Sequence, residues 1–423
     1  IMAPFVERQY GPELYNVMVK LKNAADPDRM LNPGTIITDD PQLHLKDIKL
    51  SPAVQEEVDR CVECGYCEPV CPSRDLTLTP RQRIVVQRAI VQAHADGDEE
   101  LAAQLSADEQ YPVIQTCAVD GMCQTNCPLH INTGDLVRRL RAEGNPQVWQ
   151  GVWDVAAKGW GPFVSAASLG MNAVRPIPTR ATNTVLGAAR SIVGADRVPL
   201  LSKELPAGGR RRSSGHRRGP VGRPEVVYLP ACVNTMFGSA VSREETLEFS
   251  VLSLLAAAGV GVTVTQGIEA VCCGTPWKSK GMTTGYATMR RRVVDIMQEA
   301  THGGELTVIS DAVSCSEGFV HELEYEGVTG IRIVDAVQYI ADELLPVLPD
   351  LPKLHSAALH PTCSSTRMSW NDALHRCAQT IADEVVVVDD GSRAPAAATS
   401  RWLLWLDGAA TPVALRGLAS DLG

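Results

Sequence analysis

Seven of the chain's thirteen cysteines fall in two short runs between Cys61 and Cys127, and they constrain it more than any other feature. The first run reads Cys61-Val62-Glu63-Cys64-Gly65-Tyr66-Cys67-Glu68-Pro69-Val70-Cys71-Pro72. Three thiols two residues apart, then a fourth after three more with proline behind it, wrap a backbone turn around a cubane and send the fourth sulfur to a second cluster. Paired cysteines also build structural zinc sites, which is the competing reading of this run. A crossed pair of clusters requires a second run, and Cys117-Ala118-Val119-Asp120-Gly121-Met122-Cys123-Gln124-Thr125-Asn126-Cys127-Pro128 supplies it. Asp120 stands where its second thiol would be. By the crossing rule, cluster I takes Cys61, Cys64, Cys67 and Cys127, and cluster II takes Cys71, Cys117 and Cys123 with Asp120 as candidate fourth ligand. A carboxylate is a harder donor than a thiolate. Cluster II is therefore either 4Fe-4S with one labile, oxygen-ligated iron, or 3Fe-4S. Asp120 can equally be an ordinary turn residue ahead of Gly121.

With 423 residues, 45% hydrophobic and 21% charged, the chain has material for two or three domains. It has no run of eighteen apolar residues and no charged-then-apolar leader, so neither a membrane span nor a secretory signal is expected. Cysteines at ligand spacing point to a reducing cytoplasm. The formal net charge of -10 argues against general nucleic-acid binding.

Ahead of the cysteines, Pro12 opens a helical stretch in which Leu14, Val17, Met18 and Leu21 form an apolar stripe. It stops at Asp26-Pro27. In the turn Leu31-Asn32-Pro33-Gly34, Pro33 keeps Asn32 out of helical geometry and Gly34 is free to take positive φ. Beyond the first cysteine run, helical periodicity covers residues 81–93 and 135–142, so the cluster region is expected to be mainly α-helical. Trp149, Trp153 and Trp160 read as packing between helices, the alternatives being a quinone site or a membrane-facing patch. Residues 206–224, rich in Gly, Ser and Arg, read as a solvated basic linker that could also dock an acidic partner or phospholipid heads.

After the linker, strands are expected at 226–229, 260–265, 306–310, 357–360 and 385–388, with helices at 244–258, 285–300, 334–345 and 373–383. That alternation predicts a parallel sheet with helices on both faces, and ligands collect at the carboxyl ends of such strands. Cys232, Cys272-Cys273-Gly274, Cys315 and Cys363 fall after successive strands. Cys232, Cys272, Cys273 and Cys315 can hold a further iron-sulfur cluster or zinc, or can merely pack as buried thiols. Leu229-Pro230-Ala231-Cys232 is echoed by His360-Pro361-Thr362-Cys363, the start of a second repeat that runs without another Cys-Cys-Gly into a tail at 391–423. That tail is expected to be a truncated or frame-shifted end, or else an apolar anchor.

Three resemblances follow from these residues. The segment from Tyr10 to Ile36, with its Asp-Pro and Leu-Asn-Pro-Gly, resembles the closing stretch of flavin-linked oxidases of the vanillyl-alcohol oxidase type. The order of segments resembles the large D-2-hydroxyacid dehydrogenases, D-lactate dehydrogenase and glycolate oxidase-like enzymes among them. The lone Cys, Cys-Cys-Gly and later Cys resemble the cysteine-rich domain of heterodisulfide reductase, although Ala312 holds the position of its penultimate cysteine.

The implied arrangement is multidomain. It has a flavin-oxidase remnant at 1–45, a mainly α-helical two-cluster ferredoxin-like domain at 50–145, a helical connection at 146–205 and the linker at 206–224. An α/β parallel-sheet cysteine-rich domain at 225–390 and the tail complete it. The resemblance implies electron transfer from FAD, held on an absent upstream domain that Asn32 and Gly34 would touch, to a quinone, cytochrome or other acceptor. No catalytic residue of that family has a counterpart here, so the chain would not oxidise a hydroxyacid alone. It would be cytoplasmic, with peripheral association at the inner face of the plasma membrane. The alternatives are a stand-alone iron-sulfur carrier or truncated remnant, and a heterodisulfide or thiol reductase-like subunit.

Overall fold

The structure, a computed structural model, describes residues 2–46, 50–194, 198, 200–202, 206–212, 215–217, 225–238, 246–349 and 351–387. The tail at 391–423 and residues 213–214 and 218–224 of the basic linker lie outside the described residues. Two compact units make up the chain, Ile1–Val54 and Gln55–Gly423.

In the first unit, Gly11 (φ 81°) separates helix α1 (Val6–Tyr10) from α2 (Pro12–Ala25), and Pro12 occupies the first turn of α2, where its missing N–H costs nothing. The helix stops where Asp26 turns its carboxylate onto the N–H groups of Met30 and Leu31, both at 2.9 Å. Lys22, one turn back, pairs with Asp26 and bonds the Leu31 carbonyl. These contacts hold the Asp26 carboxyl below its ordinary range, Lys22 foremost. They also fix the next turn, where Asn32 (φ 45°) and Gly34 (φ 75°) adopt left-handed backbone. Leu14, Val17 and Leu21 are all more than half exposed, so the stripe along α2 faces solvent.

The second unit begins with the cysteine loops, held by helices. These are α3 (Pro80–Asp96), α4 (Glu99–Asp108), the single-turn α5 (Met122–Thr125) and α6 (Thr133–Gly144). Pro80 and Gln82 start α3, Gln82 Oε1 accepting the Thr79 N–H at 2.8 Å, and left-handed Gly97 ends it. Three further helices follow, α7 (Gln147–Lys158), α8 (Trp160–Val174) and α9 (Thr179–Val193).

A five-stranded sheet then forms in the order β1 (Gly215–Arg217), β3 (Val262–Val264), β2 (Val226–Leu229), β4 (Thr307–Ser310) and β5 (Ile333–Asp335). All its pairs are parallel except the antiparallel edge strand β1. The connections carry α10 (Cys232–Met236), α11 (Leu247–Ala257), α12 (Thr275–Lys280), α13 (Thr283–Ala300) and α14 (Val313–Tyr325), with α15 (Ala336–Tyr339) after β5. Every residue of β2 is buried, as expected for a central strand covered on both faces.

Three differences from the sequence-based expectation have physical causes. Residues 333–335 extend the sheet as β5 instead of opening a helix, because Asp335 caps α15 through the Val337 N–H at 3.0 Å and so delays the helix start. The second repeat does not join the main sheet: β6 (Leu354–Leu359) and β7 (Ala382–Val387), joined through α16 (Cys363–Arg367) and α17 (Asn371–Ile381), pair with each other and with no other described strand. Nor is the basic segment wholly solvated, since Arg212 is buried and donates to the carbonyls of Pro230 (3.0 Å), Glu269 (3.2 Å) and Val271 (2.8 Å).

The core centres on Trp277, which is fully buried. Trp160 and Trp153 meet it edge-on at 4.8 and 6.2 Å, and its indole N–H reaches the Trp153 carbonyl at 2.9 Å. Of the tryptophan series, Trp153 and Trp160 therefore join α7 and α8 to the sheet domain. Replacing Trp277 by Ala should cost about 3–5 kcal/mol, measured by urea unfolding. Asp335 provides a pH test, because burial pushes its carboxyl up to about 7 from 3.8. Between those values the folded chain keeps a proton that the unfolded chain releases, so stability falls as pH rises through the window and levels off above it. Asp335→Asn should flatten that slope when urea midpoints are compared at about pH 5 and about pH 8.

Candidate iron-sulfur sites

Cys61, Cys64, Cys67 and Cys127 line one small gap in the second unit. Cys71, Cys117, Asp120 and Cys123 line another, together with Arg83. The fold thus gathers each crossed set around its own space, with Cys71 and Cys127 each reaching over to the other run's loop. Among the described residues no three His, Cys, Asp or Glu side chains converge as ligands of a single ion.

The two loops also share a backbone trace. Glu63 (φ 58°) and Gly65 (φ 86°) lie two and four residues after Cys61, and Val119 (φ 57°) and Gly121 (φ 76°) lie two and four after Cys117. Left-handed geometry at β-branched Val119 is costly and persists only where surrounding contacts impose it. The correspondence places Asp120 where the first loop has Cys64. Its Oδ1 accepts the Met122 N–H at 3.3 Å, which is the turn role, while its Oδ2 is turned elsewhere.

Burial pushes several of these thiols up, Cys67 to about 11, Cys123 to about 12 and Cys117 in the same direction. Groups that favour the charged sulfur oppose this. The Thr133 and Gly134 N–H groups, at the start of α6, favour the Cys123 thiolate, as the Arg81 N–H at the start of α3 favours that of Cys67. Each set therefore has a thiol at the positive end of a helix. The Glu63 N–H points at Cys61 Sγ from 3.4 Å.

Arg83 is the more telling cation. It is 1% exposed, its Nη1 stands 3.8 Å from Cys71 Sγ, its Nη2 donates to Ser73 and Thr116, and its Nε has no partner. Among the described residues no carboxylate pairs with it. A guanidinium out of water needs a counter-charge, which an anionic cluster held by the thiols around the second gap would provide. Arg141 reinforces this by donating to the Cys117 carbonyl at 2.8 Å. The donor set, the helix ends and the uncompensated Arg83 all fit an anionic iron-sulfur cluster. Sequence reasoning missed Arg83, although Arg83, Gln87 and Arg88 put polar groups along the buried side of α3, where apolar residues would be expected.

At the carboxyl ends of β2, β3 and β4, Cys232, Cys272, Cys273 and Cys315 come together. Cys232 Sγ lies 3.6 Å from Cys272 Sγ, and the hydrogen-bonded chain continues through Cys273 to Cys315. Hydrogen bonding with Cys272 holds Cys232 and Cys273 below the ordinary thiol value, with Cys315 adding to the effect on Cys273; Cys272 and Cys315 are pushed well above it. Left-handed Gly274 (φ 70°) turns the chain after the paired cysteines. Gly318 lets α14 approach, since a Cβ there would lie 2.8 Å from the Cys273 carbonyl oxygen. Asp311 accepts from Tyr228 Oη (2.6 Å), the Ala231 N–H (2.7 Å) and Asn234 Nδ2 (2.9 Å), and so fixes the loop carrying Cys232. Ala312, the gap in the cysteine pattern, is buried at the start of α14.

Cys363 does not join this group. A cavity of ≈520 Å³ lies between the second cysteine set and the sheet cysteines, reaching Pro72 and Asp120 on one side and Thr275 and Ser314 on the other, with Cys363 and Arg367 in its wall.

Residues 57–131 match the family model of the 4Fe-4S dicluster domain, and residues 1–36 match that of the C-terminal domain of FAD linked oxidases. A stretch of 29 residues is 97% identical to Protein crumbs homolog 2 of Homo sapiens and 83% identical to the Mus musculus protein of that name, covering 7% of this chain and 2% of each relative. The chain thus spans about 2% of the length of these curated relatives. So short a stretch falls below the roughly 50 residues of a small domain and carries no functional argument. No solved structure matches the chain. The two family matches support an iron-sulfur electron-transfer role, with at least one 4Fe-4S cluster, in a FAD-linked oxidase-like protein.

Arg83 offers a direct test. A reduced cluster carries one more negative charge than an oxidised one, so Arg83→Met should shift the second centre's potential to more negative values, with Arg83→Lys in between. Anaerobic redox titration followed by electron paramagnetic resonance reads the shift, and an unchanged potential would remove Arg83 as the counter-charge.

Proposed function

We propose that the chain is the iron-sulfur electron-transfer part of a flavin-dependent D-2-hydroxyacid dehydrogenase of the D-lactate type. Electrons from FAD, bound on a partner domain or subunit, pass to a quinone, cytochrome or other acceptor. The observation that carries this reading is the separation of the crossed sets into two gaps, the second faced by a buried guanidinium that has no carboxylate partner among the described residues. Cys61, Cys64, Cys67 and Cys127 would hold the first cluster, and Cys71, Cys117 and Cys123, with Asp120 standing at its fourth corner, the second. Bound there, clusters supply one-electron relay. The chain's own contribution is to bury the sulfur, aim N–H groups and Arg83 at it, and keep its loops in left-handed backbone. The match of residues 1–36 supports the flavin partner, and the exposed α2 stripe with the ordered Asn32–Gly34 turn suits its docking. No described helix is long and apolar enough to cross a membrane, so a quinone would be met at the membrane surface. We assign the working protein to the cytoplasm or the inner membrane face.

A second reading, as a thiol or heterodisulfide reductase-like subunit, draws on the hydrogen-bonded chain from Cys232 to Cys315 beside the ≈520 Å³ cavity. It predicts disulfide reduction that is lost in Cys273→Ser.

Protein purified without oxygen should contain roughly eight iron and eight sulfide per chain from two four-iron clusters, or about seven iron if the second is 3Fe-4S, and no bound flavin. D-Lactate should bleach the clusters only when a flavin-binding partner is added. Iron-free protein, with its thiols paired to one another or holding zinc, would defeat the reading.

A further inference from the structure

Cys363 is the counterpart, in the second repeat, of Cys232, yet the fold delivers it elsewhere. It opens α16, and its Sγ lies 3.5 Å from Asp120 Oδ2, across 243 residues of chain. Asp120 holds the place that Cys64 has in the first loop, as the matched left-handed positions at Glu63 and Gly65, Val119 and Gly121 show. Where the first loop presents its own thiol, the second therefore presents a carboxylate with a distant thiol beside it.

The approach is fixed from several sides. One turn beyond Cys363, Arg367 Nη1 donates to the Asp120 carbonyl at 3.3 Å, and its guanidinium lies so close over Gly121 that a Cβ there would come within 2.7 Å. Glu317 on α14 holds α16 by pairing with Arg367 at 2.5 Å and accepting from Ser364 Oγ at 2.6 Å. Thr362 caps α16 through the Ser365 N–H at 3.1 Å. Independently, buried Arg83, with an unpartnered Nε, faces the same gap and calls for more negative charge there.

Iron prefers thiolate sulfur in this kind of cluster, and a carboxylate is the harder, weaker partner. We propose that Cys363 is the fourth protein thiolate of the second centre, bound at the corner that Asp120 fronts, so that α16 of the second repeat closes a cluster otherwise held by the two loops. On binding, the iron–sulfur bond replaces the thiol S–H bond. The proton passes to the Asp120 carboxylate, and no electron is transferred. The proposal rests on the iron-sulfur reading of Cys71, Cys117 and Cys123.

The test uses anaerobically purified, cluster-loaded full-length chain as wild type, Cys363→Ser, Asp120→Asn and the double variant. Iron is counted, and both centres are recorded by electron paramagnetic resonance and Mössbauer spectroscopy. Asp120→Asn alone should keep the wild-type iron count. Cys363→Ser should change the spectrum of the second centre only, and the double variant should lose about one iron per chain as that centre becomes 3Fe-4S. A second measurement does not depend on a damaged variant: Cys363 should resist iodoacetamide in loaded wild type and become alkylated in loaded Asp120→Cys, whose new thiol displaces it. The proposal is overturned if Cys363→Ser leaves iron count and spectra unchanged in both backgrounds, or if Cys363 is alkylated in loaded wild type. Those results would leave the two clusters standing, whereas a wild-type chain without iron would overturn the iron-sulfur reading and this proposal together.

Discussion

Between Cys61 and Cys127 six of the seven thiols and a carboxylate are buried or half-buried, Cys64 alone among them lying exposed, and compensation of that latent negative charge organises the first part of the second unit. Burial alone drives Cys67 and Cys123 away from the thiolate form. The starts of α3 and α6, the Glu63 N–H and the Arg83 guanidinium all act in the other direction. α3 is bound to this role: the face that would ordinarily be apolar carries Arg83, Gln87 and Arg88, which reach the cysteine loops and their supports.

Backbone geometry is the second constraint, and it depends on the first. Left-handed turns at Glu63 and Val119 are unfavourable for residues with a Cβ, and they recur at the same offset in both loops. Such a shape survives when neighbouring packing imposes it, here with Val119 buried and set against the start of α6. The same logic operates at the sheet, where Gly274 and Gly318 clear space around Cys272 and Cys273, while Arg212 and Asp311 tie down the segments beside them.

How much was legible beforehand differs from one element to the next. The α2 helix, its stop at Asp26, the helices after each cysteine run and most of β2, β3 and β4 follow from local pattern: proline at a first turn, spacing of three and four, short β-branched runs. The grouping of Cys232, Cys272, Cys273 and Cys315 was readable because each follows a strand of one parallel sheet. Strand β5 was not, since Ile333–Asp335 is too short to distinguish from the helix behind it until Asp335 is seen as a cap. Arg212 was hidden within a run of arginines, where only the carbonyls it meets reveal that one of them is buried.

The sequence by itself determined the ligand chemistry, because the spacing of thiols along a few residues limits which sulfur atoms a single loop can turn inward. It also determined the alternation of strand and helix beyond the linker. Only the tertiary structure decided what surrounds that chemistry: that Arg83 meets no carboxylate among the described residues, that the second repeat builds its own two strands, and that Cys363 lies against Asp120. Those outcomes depend on side chains far apart in the chain meeting at distances of a few ångströms, and no local periodicity or spacing encodes such a meeting.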